Sequence, residues 1–217
     1  MMRFPICLLV LALLGTGPLH AAEPYDLIFR TGTLSDVSSD QHLVYSRAVT
    51  SPGNPQVEQA GTGQIVLSLM PEDMAELDFR QGDRHRFLGL FPATVGNPLA
   101  MYFLETVVKD IARDTGGSPF YIRNRIKESL LEPAQIEDGK LRADGQDIAT
   151  RQIILHPFQD DRHRDRMLGY GDLAMTFTMS GDVPGWYVSL VAEVPSGDAA
   201  PPIYRNALTL TDPEASQ

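Results

Sequence analysis

About eight or nine short stretches of this chain alternate apolar and polar residues with a period of two, and most are joined by links too short for a parallel crossover. That pattern restricts the chain to an antiparallel sheet, interrupted once by helix. Residues 25–33 alternate through Leu27, Phe29, Thr31 and Thr33; residues 42–50 through Leu43, Tyr45, Arg47 and Val49; residues 63–70 through Ile65, Leu67 and Leu69, before Pro71 removes a ladder donor. Residues 77–80 and 84–91 suit a hairpin turning at Gln81-Gly82-Asp83. Residues 51–55, Ser-Pro-Gly-Asn-Pro, suit a loop. After a polar stretch at 136–148, expected to be a loop with a small hairpin at Asp144-Gly145, strands return at 150–158, 173–180, 186–194 and 203–211. In 186–194 the spacing puts Trp186, Val188, Leu190, Ala192 and Val194 on one face.

The interruption is well marked. Asn97 suits a helix cap and Pro98 the first helical position, where the absent N–H has no cost. The helix is expected over about 98–114, ending at Gly116-Gly117. Ser118-Pro119 repeats the cap and proline, and a second helix follows over 119–131 with Ile122, Ile126 and Leu130 on its inner line. Both apolar stripes need a cover. The expected architecture is therefore α+β: a curved, mainly antiparallel sheet of about eight or nine strands with one inserted helix pair packed on it.

The first residues carry a different signal. Arg3 is followed by an apolar run at residues 6–14, which is short of the roughly 20 residues a spanning helix needs and within the range of a secretory signal. Gly15, Gly17 and Pro18 break it, and His20-Ala21-Ala22 supply small residues at a cleavage site. The expected division is a signal peptide at 1–21, cut after Ala21 or alternatively Ala22, a single domain at 22–211 and a flexible tail at 212–217. Export points to the periplasm of a Gram-negative bacterium, or otherwise to secretion. It also removes Cys7, the only cysteine, so the mature chain has neither disulfides nor thiolate chemistry and depends on its core. No membrane span is expected after cleavage.

Charge narrows the partners. The formal net charge of −10 falls further when Arg3 leaves, and an acidic chain forfeits the electrostatic term on which nucleic-acid binding depends. No nucleic-acid partner is expected. His42, His85, His156 and His163 lack the three-to-five-residue spacing of helix-borne metal ligands, and arginines flank His163, so neither metal nor cofactor is expected. No Gly-x-Ser-x-Gly or Ser-x-x-Lys motif occurs. Gly169-Tyr170-Gly171-Asp172 resembles a dinucleotide fingerprint only loosely, since it precedes a strand. No catalytic residue is assigned.

What remains is a segment in which Phe120 and Tyr121 precede Arg123 and Arg125 early in a helix, an arrangement suited to an amphiphile or an anion. With Phe103, Met175 and Trp186 these residues form the expected ligand site, an apolar cavity between sheet and helices. The leading expectation is a non-enzymatic binding or envelope-assembly protein whose partner is a lipid, another amphiphile or an envelope protein. In outline this architecture resembles periplasmic lipoprotein and lipid carriers, a likeness of shape from which no function follows. Two alternatives stand beside it: a hydrolase using His163 or His85 with neighbouring acids, and a protein-interaction module. When the chain is secreted from a Gram-negative host, intact-mass analysis is expected to find a product beginning at Ala22, or at Glu23 for the alternative cut; an exported product retaining Met1 contradicts the signal reading.

Overall fold

Nine strands among the described residues join one curved, open sheet, every neighbouring pair antiparallel, in the order β4-β3-β2-β1-β9-β8-β7-β6-β5. The computed structural model describes residues 24–143, 145–196 and 200–211. The expected signal segment, Asp144 and the 212–217 tail lie outside them. The strands are β1 (His42–Thr50), β2 (Gly63–Met70), β3 (Met74–Gln81), β4 (Arg84–Pro92), β5 (Ile136–Ala143), β6 (Gln146–Leu155), β7 (Ala174–Met179), β8 (Tyr187–Val194) and β9 (Tyr204–Leu210). The helices are α1 (Pro24–Ile28), α2 (Pro55–Gly61), α3 (Leu99–Thr115) and α4 (Pro119–Leu131). Two meanders, β1 to β4 and β5 to β9, meet where β1 pairs with β9. The link from β4 to β5 must therefore travel from one edge of the sheet to the other, and it does so through α3 and α4. Among the described residues no helix is long and apolar enough to cross a membrane.

The α+β architecture, with the helix pair on the sheet, is the one expected, and several elements within it differ. Residues 25–33 are not a strand. Pro24 and Asp26 open the short helix α1, the tilted rings of Tyr25 and Phe29 meet one turn apart at 4.9 Å, and Ile28 is fully buried in the core with Leu27 and Phe29 partly buried against it. Turns occupy the following residues, with Gly32 at φ 70°. The 51–55 loop opens into α2, because Asn54 Oδ1 accepts from the Val57 amide at 3.3 Å and Pro55 sits in the first turn. The polar 136–148 stretch forms strand β5, the hairpin link and the start of β6. As an edge strand, β5 is held by backbone pairing and needs no apolar alternation. A bulge at Thr178/Met179 shifts the phase of β8, so Tyr187 rather than Val188 joins Leu190, Ala192 and Val194 in the core.

The core lies between the helix pair and the sheet. Leu99, Phe103, Val107 and Ile111 of α3 and Ile122, Ile126 and Leu130 of α4 are buried against Ile153, Met175, Phe177, Leu190 and their neighbours. Each such side chain contributes about 1.5–3 kcal/mol by leaving water. Ser118 precedes α4 without making a side-chain cap bond, so Pro119 alone marks that start.

The entry to α3 is fastened by one buried amide. Asn97 Oδ1 accepts from the Leu99 amide at 3.0 Å, while Nδ2 donates to Gly185 O at 2.8 Å and to Tyr45 Oη at 3.2 Å. Its backbone N–H donates to Thr33 Oγ1 at 2.9 Å. One side chain thus caps a helix and ties it to β1 and to the β7–β8 turn. Gly185, at φ 75°, is required there, because a Cβ would stand 2.4 Å from Leu43 Cδ1. Asn97→Ala removes a cap worth about 1 kcal/mol and leaves Gly185 O without its amide donor, a further ~1–3 kcal/mol. Urea unfolding followed by far-UV circular dichroism is expected to show a loss of about 2–4 kcal/mol; a loss under 0.5 kcal/mol contradicts this role.

Candidate functional site

The residues expected to line one apolar cavity occupy separate environments. Phe103 and Met175 have no exposed surface; Phe103 meets Phe177 edge to face at 5.9 Å, and these side chains fill the space between sheet and helices. Of the residues expected to line the cavity, Phe103 and Met175 are wholly enclosed. Phe120 lies at the opposite extreme, 76 % exposed, with the Arg123 guanidinium carbon 5.8 Å from its ring centre. Arg123 makes a two-pronged bond to Glu105 at 2.8 Å on each prong, linking α4 to α3, and this bond holds the Glu105 carboxyl below its ordinary pKa.

Only Tyr121 and Arg125 of the expected set converge, and they do so on Asp161. Its side chain has no exposed surface; it accepts from Tyr121 Oη at 2.9 and 3.0 Å and from the His163 amide at 2.7 Å, with Arg125 Nε 2.9 Å away. That Nε is close enough for an ion pair yet lacks hydrogen-bond alignment. Burial pushes the Asp161 carboxyl up, and the His163 amide, the Tyr121 hydroxyl and the nearby cations outweigh it, so the group titrates below its ordinary value. This is a brace between α4 and the 156–167 loop.

Of the two histidines of the hydrolase reading, His163 has its acceptor nitrogen engaged and His85 stands beyond hydrogen-bond distance of its nearest acid. His163 Nε2 lies 3.1 Å from Arg162 Nε, which donates to it, and the ring stands edge-on to Tyr121 at 5.6 Å. The lone pair a base would use is engaged. His85 Nδ1 is 3.7 Å from Asp78 Oδ2 on the outer strand β4, in an open cleft of about 430 Å³ whose lining contains charged groups, Gly82 and Phe87 but no hydroxyl nucleophile.

Two clefts meet instead at the end of the sheet where β7 turns into β8. The turn 181–185 delivers Trp186 with φ 77°, a left-handed conformation that costs a bulky residue about 1–3 kcal/mol. The conformation is held from several directions. Trp186 Nε1 donates to Leu27 O at 3.0 Å, the Ser180 amide donates to Trp186 O at 2.9 Å, and Asn97 holds Gly185. The Arg30 guanidinium carbon stands 4.7 Å from the indole centre, and among the described residues no carboxylate pairs with it. A cleft of about 530 Å³ opens on one side, past Thr31, Asp36 and Gln41. Another of about 390 Å³ opens on the other, past Asp138, Thr150 and Arg151. Arg30, Ser180, Gly181, Asp182 and Trp186 are walls of both. These volumes lie within the range of small-molecule sites. Trp186 was expected to line a different space, the one between sheet and helices. Arg30 was not legible, because it lies 156 positions away in sequence on a segment read as a strand.

No family model matches the chain, and no curated protein matches it. Among solved structures it is similar to the lipoprotein LppX of Mycobacterium tuberculosis, at 12 % identity and a TM-score of 0.33, over 82 % of this chain and 90 % of that one.

The Asp161 brace has a pH signature. Because the folded carboxyl titrates below its unfolded value, its stabilisation is complete above the ordinary pKa of 3.8 and is lost as pH falls through the depressed value. Thermal unfolding measured from pH 7 down to pH ~2.5 is expected to show a steeper acid decline for the natural protein than for Asp161→Asn. Superimposable declines contradict the brace.

Proposed function

We propose that this chain is an exported, non-enzymatic binding protein that works in the periplasm after residues 1–21 are removed, and that its ligand is a compact amphiphile seated against Arg30 and Trp186. The observation that carries this reading is the Arg30–Trp186 stack at the shared wall of two clefts, held on a backbone conformation that only a network of bonds sustains. Arg30 supplies a charge without a carboxylate partner among the described residues, suited to an anionic group. Ser180, Gln41 and Asp182 supply hydrogen-bonding groups, and Val183 and Pro184 supply a small apolar wall. A long acyl chain running between sheet and helices draws no support, since Phe103, Met175 and Phe177 occupy that space. Hydrolysis by His163 or His85 draws little, for the reasons of geometry given above. Phe120, 76 % exposed beside Arg123, favours a second reading in which α4 docks on another envelope protein.

Trp186 is the only tryptophan, so indole fluorescence reports this cleft directly. Titration with octanoate is expected to change that fluorescence saturably, and Arg30→Ala to weaken the effect by about tenfold with little change in thermal stability. Native mass spectrometry of the periplasmic protein is expected to find a small molecule that Arg30→Ala does not retain. A natural protein that carries nothing and does not respond to octanoate overturns the proposal.

A further inference from the structure

Arg47 is a buried cation without a counter-charge. It projects from β1 onto the helix-covered face, is only 7 % exposed, and pairs with no carboxylate among the described residues. Its bonds are to neutral oxygens and are long: Nε donates to Asn206 Oδ1 and Nη1 to Tyr102 Oη, each at 3.3 Å. Asn206 is itself fully buried and donates to Thr106 of α3 at 3.1 Å, so its carbonyl oxygen is fixed in place. A guanidinium carries more N–H donors than these bonds use. Among the described residues the only inaccessible side-chain nitrogen without a partner is Arg125 Nε, so the unbonded Nη2 edge of Arg47 is the part that still meets solvent. Burying a cation is unfavourable by several kcal/mol unless an opposite charge offsets it.

A second arginine shares this face. Arg86 of β4 sits with its guanidinium carbon 5.2 Å from the Phe79 ring centre and also lacks a carboxylate partner. Between the two, Gly63 leaves a gap that the Phe79 ring fills, for a Cβ on Gly63 would lie 2.9 Å from that ring. Tyr102 of α3 completes the group, with Arg47 5.8 Å from its ring centre. Register runs Arg86–Phe79–Ile65–Tyr45 across four strands, which places Arg86 and Arg47 on one face; burial pushes the Tyr102 hydroxyl pKa up, the Arg47 and Arg86 charges pull it down and Asp110 pushes it up. The neighbouring acid, Asp110, is already committed, accepting from Tyr204 Oη at 2.9 Å and from Arg113 at 2.7 Å.

We propose that Arg47, Arg86 and Tyr102 form a receptor for one oxyanion, a carboxylate or phosphate group, on the helix-covered face beside α3. The anion supplies the charge that Arg47 lacks, bonds to its free edge and is closed in by the exposed Arg86 and by the Tyr102 hydroxyl. This site is separate from the Arg30–Trp186 cleft and stands or falls independently of it.

The test uses the mature chain with inorganic phosphate and, separately, hexyl phosphate, each against sodium chloride at matched ionic strength, with calorimetric binding and thermal unfolding as readouts. Both phosphates are expected to bind at one site and to raise the unfolding temperature in the natural protein and in Arg30→Ala. Arg86→Gln, an exposed position, is expected to fold as before and bind about tenfold more weakly; Arg47→Met is expected to lose binding. Hexyl phosphate binding at least tenfold tighter than phosphate identifies an amphiphile headgroup, and equal binding a free oxyanion; both support the receptor. Failure of both to bind the natural protein, or unchanged binding by Arg86→Gln and a folded Arg47→Met, overturns it.

Discussion

A buried amide joins parts of the chain that lie far apart in sequence. Asn97 caps α3, holds the carbonyl of Gly185 and bonds the hydroxyl of Tyr45, while its backbone N–H takes the Thr33 hydroxyl. Satisfying its donors and its acceptor in a core position requires β1, the β7–β8 turn, the N-terminal segment and the helix start to hold one mutual arrangement. Gly96, at φ 108°, adds to the constraint, since a Cβ there would stand 2.5 Å from Arg30 O. The position of Arg30 over Trp186 follows from the same fastening.

The sheet order explains why this fastening matters. Because β9 returns to lie between β1 and β8, both edge strands, β4 and β5, are joined through a connection that spans the sheet. Without a fixed entry angle for α3 that connection could cover the sheet in several ways. With it, the apolar stripes of α3 and α4 come down on the sheet, the Arg123–Glu105 bond holds α4 beside α3, and the Asp161 brace ties α4 to the 156–167 loop. The same placement encloses Phe103, Met175 and Phe177 between the layers.

Legibility in the sequence followed the physics of each signal. The bounds of β1 and β2 were readable from alternation and from the turn residues that flank them, although Val44 and Val66 are buried on the opposite face as well. The helix pair was readable from Asn97-Pro98 and Ser118-Pro119 followed by apolar stripes. Asn54-Pro55 carries the same local signal as Asn97-Pro98, yet the helix it starts is a short, half-exposed α2 without an apolar stripe, and the preceding Ser-Pro-Gly suggested only a loop. The alternation in residues 25–33 was genuine and misleading: Pro24 and the contact of Tyr25 with Phe29 favour a helical turn, and Ile28 rather than Leu27 or Phe29 is fully buried. β5 had no side-chain pattern to read, because an edge strand is held by its backbone.

The sequence by itself determined the period of its segments, the turns that separate them and the helix starts, since these depend on neighbouring residues, and from them the α+β class followed. Among the seven residues singled out for a ligand, chemistry was legible but location was not. Phe103 and Met175 are as apolar as a cavity wall and serve as packing; Tyr121 and Arg125 are as polar as a ligand site and serve as a brace on Asp161. Only the tertiary structure decided which side chains meet across more than a hundred residues of chain, Arg30 with Trp186 and Arg47 with Asn206. The reason is physical: local sequence sets backbone preference and burial face, whereas the company a charged side chain keeps is set by the order of strands in the sheet.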